Sequence, residues 1–113
     1  MRFLAGSFDL GPFHGFMNEL PSADSVTTLH KHKNDHLLVS PSALKIEAIV
    51  NGNPVLVTCE ADSQWWNCWL IKAGVAHKVS ANGAPGRFIC LFSHYDDNGK
   101  FQAEPKASHP DAV

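Results

Sequence analysis

Histidine is the residue type in this sequence best suited to chemistry, and four of its seven histidines, His30, His32, His36 and His77, have the spacing of a single site. Successive side chains of a β-strand point to opposite faces. The separations from His30 to His32 to His36 are even, so a strand that keeps its pleat across them puts three imidazoles on one face. Lys31, Lys33 and Asp35 then face the other way. His77 lies in a stretch that reads as a strand, a tight turn at Gly74 and a second strand with His77 and Val79 on one face. The expectation is one metal ion held by His30, His32, His36 and His77, set against the blander reading of solvated histidines on a polar strand edge.

Imidazole suits several divalent transition metals, so the ligand set leaves iron, nickel, manganese, copper and zinc as candidates. Four neutral ligands leave the full dipositive charge on the ion, which makes it a strong Lewis acid toward bound water or an oxygen-rich small molecule. Tetrahedral binding by all four would suit structural zinc, whereas higher coordination leaves positions open for substrate or dioxygen. Around such a site Glu47, Trp69 and Arg87 are the candidate substrate contacts. Each has a plainer alternative: a solvated strand face for Glu47, core packing for Trp69, an edge arginine after a hairpin for Arg87. Trp65 and Trp66 belong to the same possible aromatic wall. Asp35 either accepts a ring N–H from a ligand histidine or faces solvent. His14 and His94 are a possible cap and a spare ligand, and His109 stands apart in the tail. The sequence contains no paired carboxylates, no nucleophile beside a base and no phosphate loop, so no catalytic residue is assigned.

The elements that must position these residues are strands. Short apolar runs separated by turn residues recur throughout, without a sustained helical period, and the expected fold class is all-β. Strands are expected over 26–32, 36–39, 44–50, 55–59, 65–71, 77–80 and 87–93. Asn51-Gly52 is the clearest hairpin turn, because Asn-Gly supplies the positive φ angles such turns require. A second hairpin is expected over 82–86. Residues 1–24 read as an N-terminal arm, 25–94 as the barrel core and 95–113 as a polar tail, all within one domain.

These residues resemble the cupin superfamily. Its first motif carries a His-x-His pair followed by a glutamate, and its second carries Gly-x-x-His. Here His30 and His32 match the pair, His36 falls where the glutamate belongs, and Gly74 and His77 match the second core. Asp24, Ala43 and Trp66 stand where outer glycines are expected, Lys72 replaces a proline, and Ala81 replaces an asparagine, with Asn82 one place late. The resemblance covers roughly residues 25 to 94. It implies a jelly-roll, or double-stranded β-helix, barrel with an interior metal site. It also implies dioxygenase, isomerase or lyase activity on a small molecule, although chemistry that depends on the glutamate does not carry over to His36.

Composition narrows the classes further. A chain of 113 residues with 44% apolar content builds one core. The net charge of -2, without a run of five like charges, argues against a nucleic-acid partner. No apolar stretch is long enough to span a bilayer, and Gly6, Ser7 and Asp9 interrupt the opening before it could act as a secretory segment. A cytoplasmic location without membrane attachment is expected. Cys59, Cys68 and Cys90 read as reduced core residues. The apolar arm with Phe3, Phe8, Phe13 and Phe16 has little to pack on in so short a chain, so a homodimer with exchanged or packed arms is expected. Three functions stay open: a small metalloenzyme, a metal-dependent binding or sensing module without turnover, and a barrel stapled by structural zinc.

Overall fold

A computed structural model describes residues 6–10, 13–93 and 111–112, with side chains described from 15 to 92. Period-two alternation, broken by turn residues, produces ten strands and, among the described residues, no helix. They are β1 (Gly6–Leu10), β2 (Phe13–Leu20), β3 (His30–Lys31), β4 (His36–Ser40), β5 (Leu44–Val50), β6 (Asn53–Cys59), β7 (Asn67–Ile71), β8 (His77–Ala81), β9 (Gly86–Ser93) and β10 (Asp111–Ala112). They form two five-stranded antiparallel sheets, ordered β1-β2-β9-β4-β7 and β10-β3-β8-β5-β6.

The core lies between the sheets. In β4, His36, Leu38 and Ser40 point inward and are buried, and in β8 His77, Val79 and Ala81 do the same. Leu44 and Ile46 of β5, Ile71 of β7 and Phe88, Cys90 and Phe92 of β9 complete the core. His36 and His77 therefore head two inward rows, one in each sheet. The β5–β6 hairpin turns at Asn51 and Gly52, with φ of 51° and 78°, as the Asn-Gly pair requires.

Three elements differ from the sequence reading. Of the strand expected over 26–32, only His30 and Lys31 pair as a strand, apart from a bridge between Val26 and Ser80. The reason is local: Thr27 Oγ1 accepts the Val79 N–H at 3.0 Å, taking a donor that a regular ladder would give to a backbone carbonyl. The segment over 82–86 is not a hairpin, because β8 and β9 lie in different sheets and the chain crosses between them. The N-terminal arm is a hairpin of the sheet: β1 pairs with β2, and β2 pairs with β9 from Phe13↔Ser93 to Leu20↔Gly86. Its backbone thus pairs within its own chain. Asp111 and Ala112 of the polar tail pair with Lys31 and His30. His94, His109 and the rest of the tail lie outside the described residues, as does Phe3.

Candidate metal centre

Each histidine reaches the centre by a different route. His30 of β3 and His77 of β8 are register partners across one sheet. His32 lies just past β3, where the chain leaves that sheet, and His36 opens β4 in the other. Their convergence therefore comes from the crossing between sheets, and not from three side chains on one continuous strand.

The four rings form one cluster. Centroid separations are 4.4 Å for His30–His77, 5.0 Å for His30–His32, 4.4 Å for His32–His36 and 5.3 Å for His36–His77. One ligand nitrogen from each of His30, His32 and His77 lies within 4.8 Å of the others, and these three could hold one metal ion. His36 stands beside this set, stacked on Phe92 with centroids 5.0 Å apart and an interplanar angle of 28°. Phe92 also lies 5.0 Å from His32, so it forms a floor under both rings.

The hydrogen bonds fit a ligand role. His30 Nδ1 lies 2.6 Å from the Thr28 carbonyl and His77 Nδ1 lies 2.8 Å from the Val75 carbonyl. A carbonyl only accepts, so in each bond Nδ1 carries the proton and Nε2 keeps its lone pair for an ion. His32 and His36 are buried, and neither ring nitrogen of either forms a hydrogen bond of normal geometry. Leaving a buried polar group unpaired costs about 1–3 kcal/mol, and a metal bond would relieve this.

Electrostatics favours the neutral, ligating form. Burial, reinforced by His36, His30 and His77, pushes the His32 imidazole down to about 3. Burial first, then His77 and His30, pushes His36 down to about 3, and the nearby Asn34 carbonyl and Asp35 carboxylate oppose the shift without reversing it. Burial also lowers His77, against the opposing hydrogen bond to Val75. These residues fit a divalent transition ion: a common focus for His30, His32 and His77, unpaired nitrogens on His32 and His36, and burial that disfavours the charged form of His32, His36 and His77.

A cavity of about 220 Å³ opens beside His30 and His32, lined also by Phe16, Asn18, Thr27, Thr28, Phe88 and Cys90. Burial pushes the Cys90 thiol up to about 12, so it stays protonated. The cavity walls come from β2 and β9 on one side and the segment preceding β3 on the other.

The candidate substrate contacts lie elsewhere. Glu47 is exposed on the outer face of β5 and pairs with Lys78 at 3.2 Å. Arg87 follows the inward-outward alternation of β9 to the face opposite Phe88 and stands in register with Glu19. Its backbone is fixed by Ser40 and Ser42, whose hydroxyls take part in bonds of 2.5 Å and 3.0 Å. Neither residue lines the cavity beside the histidines. Trp69 is partly buried against the core, whereas Trp65 and Trp66 are exposed. The three cysteines are free; Cys90 is buried as expected, Cys59 is half-buried, and Cys68 is exposed, against the core reading.

Asp35 is partly exposed to solvent, as its plainer reading had it, and its carboxylate accepts from the turn before β8 and not from a histidine ring. It pairs with Lys72 and accepts the Ala73 N–H at 2.8 Å, while the Gly74 N–H donates to the His32 carbonyl at 2.9 Å. The Lys72 hydrogen bond, then that of Ala73, holds its carboxyl below the usual carboxylate range. These bonds tie the crossing that carries His32 and His36 to the turn that delivers His77. Sequence reasoning also missed Phe92, whose alternation within β9 signalled burial but not contact with histidines. Thr27 and Thr28 carried no recognisable signal.

No family model matches the chain, and no curated protein matches it. Solved structures do, and they give the class: the chain has the cupin fold. A cupin domain from Bordetella pertussis is 14% identical with a TM-score of 0.59, covering 80% of this chain and 91% of its own. A formate complex of oxalate decarboxylase from Lactobacillus farciminis is 20% identical with a TM-score of 0.61, covering 79% of this chain. The Bacillus subtilis oxalate decarboxylase, described with Mn(II) centres, is 14% identical with a TM-score of 0.62, covering 81%. This chain spans about a quarter of the length of the two decarboxylases, with 26% and 24% of their chains covered.

Proposed function

We propose that this chain is a metal-dependent enzyme of the cupin fold acting on a small oxygen-bearing molecule, with dioxygenase, isomerase or lyase chemistry. The observation that carries this reading is a cluster of imidazoles, with both ring nitrogens of the buried His32 unpartnered, opening on a cavity that His30 and His32 line. His30, His32 and His77 hold the ion, with His36 as a fourth ligand. A structural zinc site is closed by its ligands, while a catalytic one keeps a position open. The cavity beside His30 and His32 supports the open form. When bound, the ion supplies a Lewis acid for an oxygen of the substrate. The surrounding residues do the rest: Phe16, Phe88 and Phe92 exclude water, and the Thr28 and Val75 carbonyls fix the ring tautomers. Manganese stays among the candidates with iron, nickel, copper and zinc, in keeping with the Mn(II) centres of the Bacillus subtilis oxalate decarboxylase.

A second reading is a binding or sensing module without turnover. It is favoured by the lining of the cavity, in which no carboxylate or amine appears among the described residues.

The test is the metal content of untagged protein, purified without chelators, for wild type and His77→Ala. About one equivalent of a redox-active metal or nickel per chain, lost in the variant, is expected. One equivalent of zinc, lost together with thermal stability, would favour a structural staple. Absence of any bound metal, even after metals are added, would overturn the proposal.

A further inference from the structure

The two sheets differ on their outer faces. Where β5 and β8 pair, the residues turned away from the core are Lys45, Glu47, Lys78 and Ser80, and Lys78 pairs with Glu47. In the β1-β2-β9-β4-β7 sheet, alternation with the buried Leu38, Cys90 and Phe92 turns apolar residues outward instead. Register aligns them in two rows across four strands: Leu70, Leu37, Leu91 and Gly15, then Cys68, Val39, Ile89 and Met17. Neither row carries a charge. Leu37 and Leu70 are 38% and 61% exposed, and Cys68 is exposed too. Trp66, 40% exposed, shares a small pocket with Met17 and Ile89. Monomeric proteins rarely leave so continuous an apolar face in water.

We infer that this face packs against the same face of a second copy of the chain, giving a twofold dimer. The inference is independent of the metal-dependent reading. Five strands of five to eight residues give the sheet a footprint of about 400–650 Å². Two such faces bring together about 800–1,300 Å², a range that spans the ~1,000 Å² a specific interface needs. A flat sheet face is matched by another flat sheet face, with strands about 30° apart. Pairing the face with itself sets apolar rows against apolar rows and buries no charge in them. The segment 94–110, between β9 and β10, is too polar to cover the face from within. Its large apolar side chains are Tyr95 and Phe101 alone, and β10 joins the other sheet.

The experiment is sedimentation equilibrium of the full chain from about 1 to 100 μM, with alkylation of Cys68 followed by mass spectrometry at both ends of that range. The mass is expected to rise to that of two chains. Cys68 should then react at least about fivefold more slowly at the higher concentration, while Cys59, on the other sheet, keeps its rate. Leu70→Lys, at an exposed position, should weaken the dimer at least about tenfold with its circular dichroism unchanged. Leu56→Lys, at a similarly exposed position on β6, should leave the dimer intact. Wild-type protein that stays monomeric throughout would overturn the inference. So would a dimer in which Cys68 keeps its reactivity, or one lost in Leu56→Lys and kept in Leu70→Lys, because the contact would then lie elsewhere. The alkylation rates come from wild type, so they decide the matter even if a variant fails to fold.

Discussion

At the scale of single residues, the histidines differ in how the fold treats their two nitrogens. His30 and His77 each have Nδ1 committed to a backbone carbonyl, which directs Nε2 toward the focus. His32 and His36 are held by packing alone, between Phe92 and their neighbours. In metal-free protein this arrangement has a cost that depends on pH. The folded-state values of His32 and His36, both about 3, lie below the ordinary 6.5, and His77 is lowered too. Above 6.5 the rings are neutral whether the chain is folded or not, and the shifts have no effect. Below it the unfolded chain takes up protons that the folded one refuses, so stability falls as pH drops from about 6.5 toward 3. The midpoint of urea unfolding of metal-free protein should fall between about pH 7 and pH 5. A midpoint constant over that range would mean that the imidazoles are not held neutral.

At the scale of elements, the site depends on two crossings between sheets, one between β3 and β4 and the other between β7 and β8. Asp35 joins them through Lys72 and the Ala73 N–H, and the Gly74 N–H closes on the His32 carbonyl. Asp35→Ala is expected to lower the stability of the metal-free protein by about 1–2 kcal/mol, because a half-buried backbone donor loses its acceptor. Asp35→Asn, which keeps an acceptor, should lose less, and urea unfolding at neutral pH compares the two. Equal losses would place the contribution in the charge and not in the hydrogen bond. Much of this level was legible in the sequence: the all-β class, the Asn51-Gly52 hairpin, the Gly74 turn and the alternation of β4, β5 and β8 all follow from side-chain period and turn chemistry. The even spacing of His30, His32 and His36 led to the right cluster through the wrong geometry, since parity describes one pleated strand and these residues sit on two sheets. Parity worked because His36 is inward in β4 by the same alternation that buries Leu38 and Ser40. Pairing between distant segments is what sequence did not reveal. It made the N-terminal residues a hairpin on β9, placed Glu47 on an exposed face and Arg87 away from the cavity beside the histidines, and linked Asp35 to Lys72 across 37 positions.

At the scale of the whole molecule, two sheets enclose one core with the histidines among its buried residues, and, among the described residues, no helix is long and apolar enough to cross a membrane. The backbone of residues 6–10 and 13–20 pairs within its own chain. The division of ligands between the sheets bears on how firmly the molecule is held together. His30 and His77 belong to one leaf of a two-leaved fold, and His36 to the other, with His32 on the spine between them. An ion held by His30, His32 and His77 alone stiffens one leaf and the spine. An ion that also takes His36 works as a clasp, shutting the leaves against each other as a clip shuts a book. The ligand count can therefore be read mechanically: metal should slow deuterium exchange at the amides of Val79 in either case, but at Leu38 and Val39 only if the clasp closes. Equal protection of both leaves would identify His36 as a ligand, and protection of β8 alone would leave it as a neighbour.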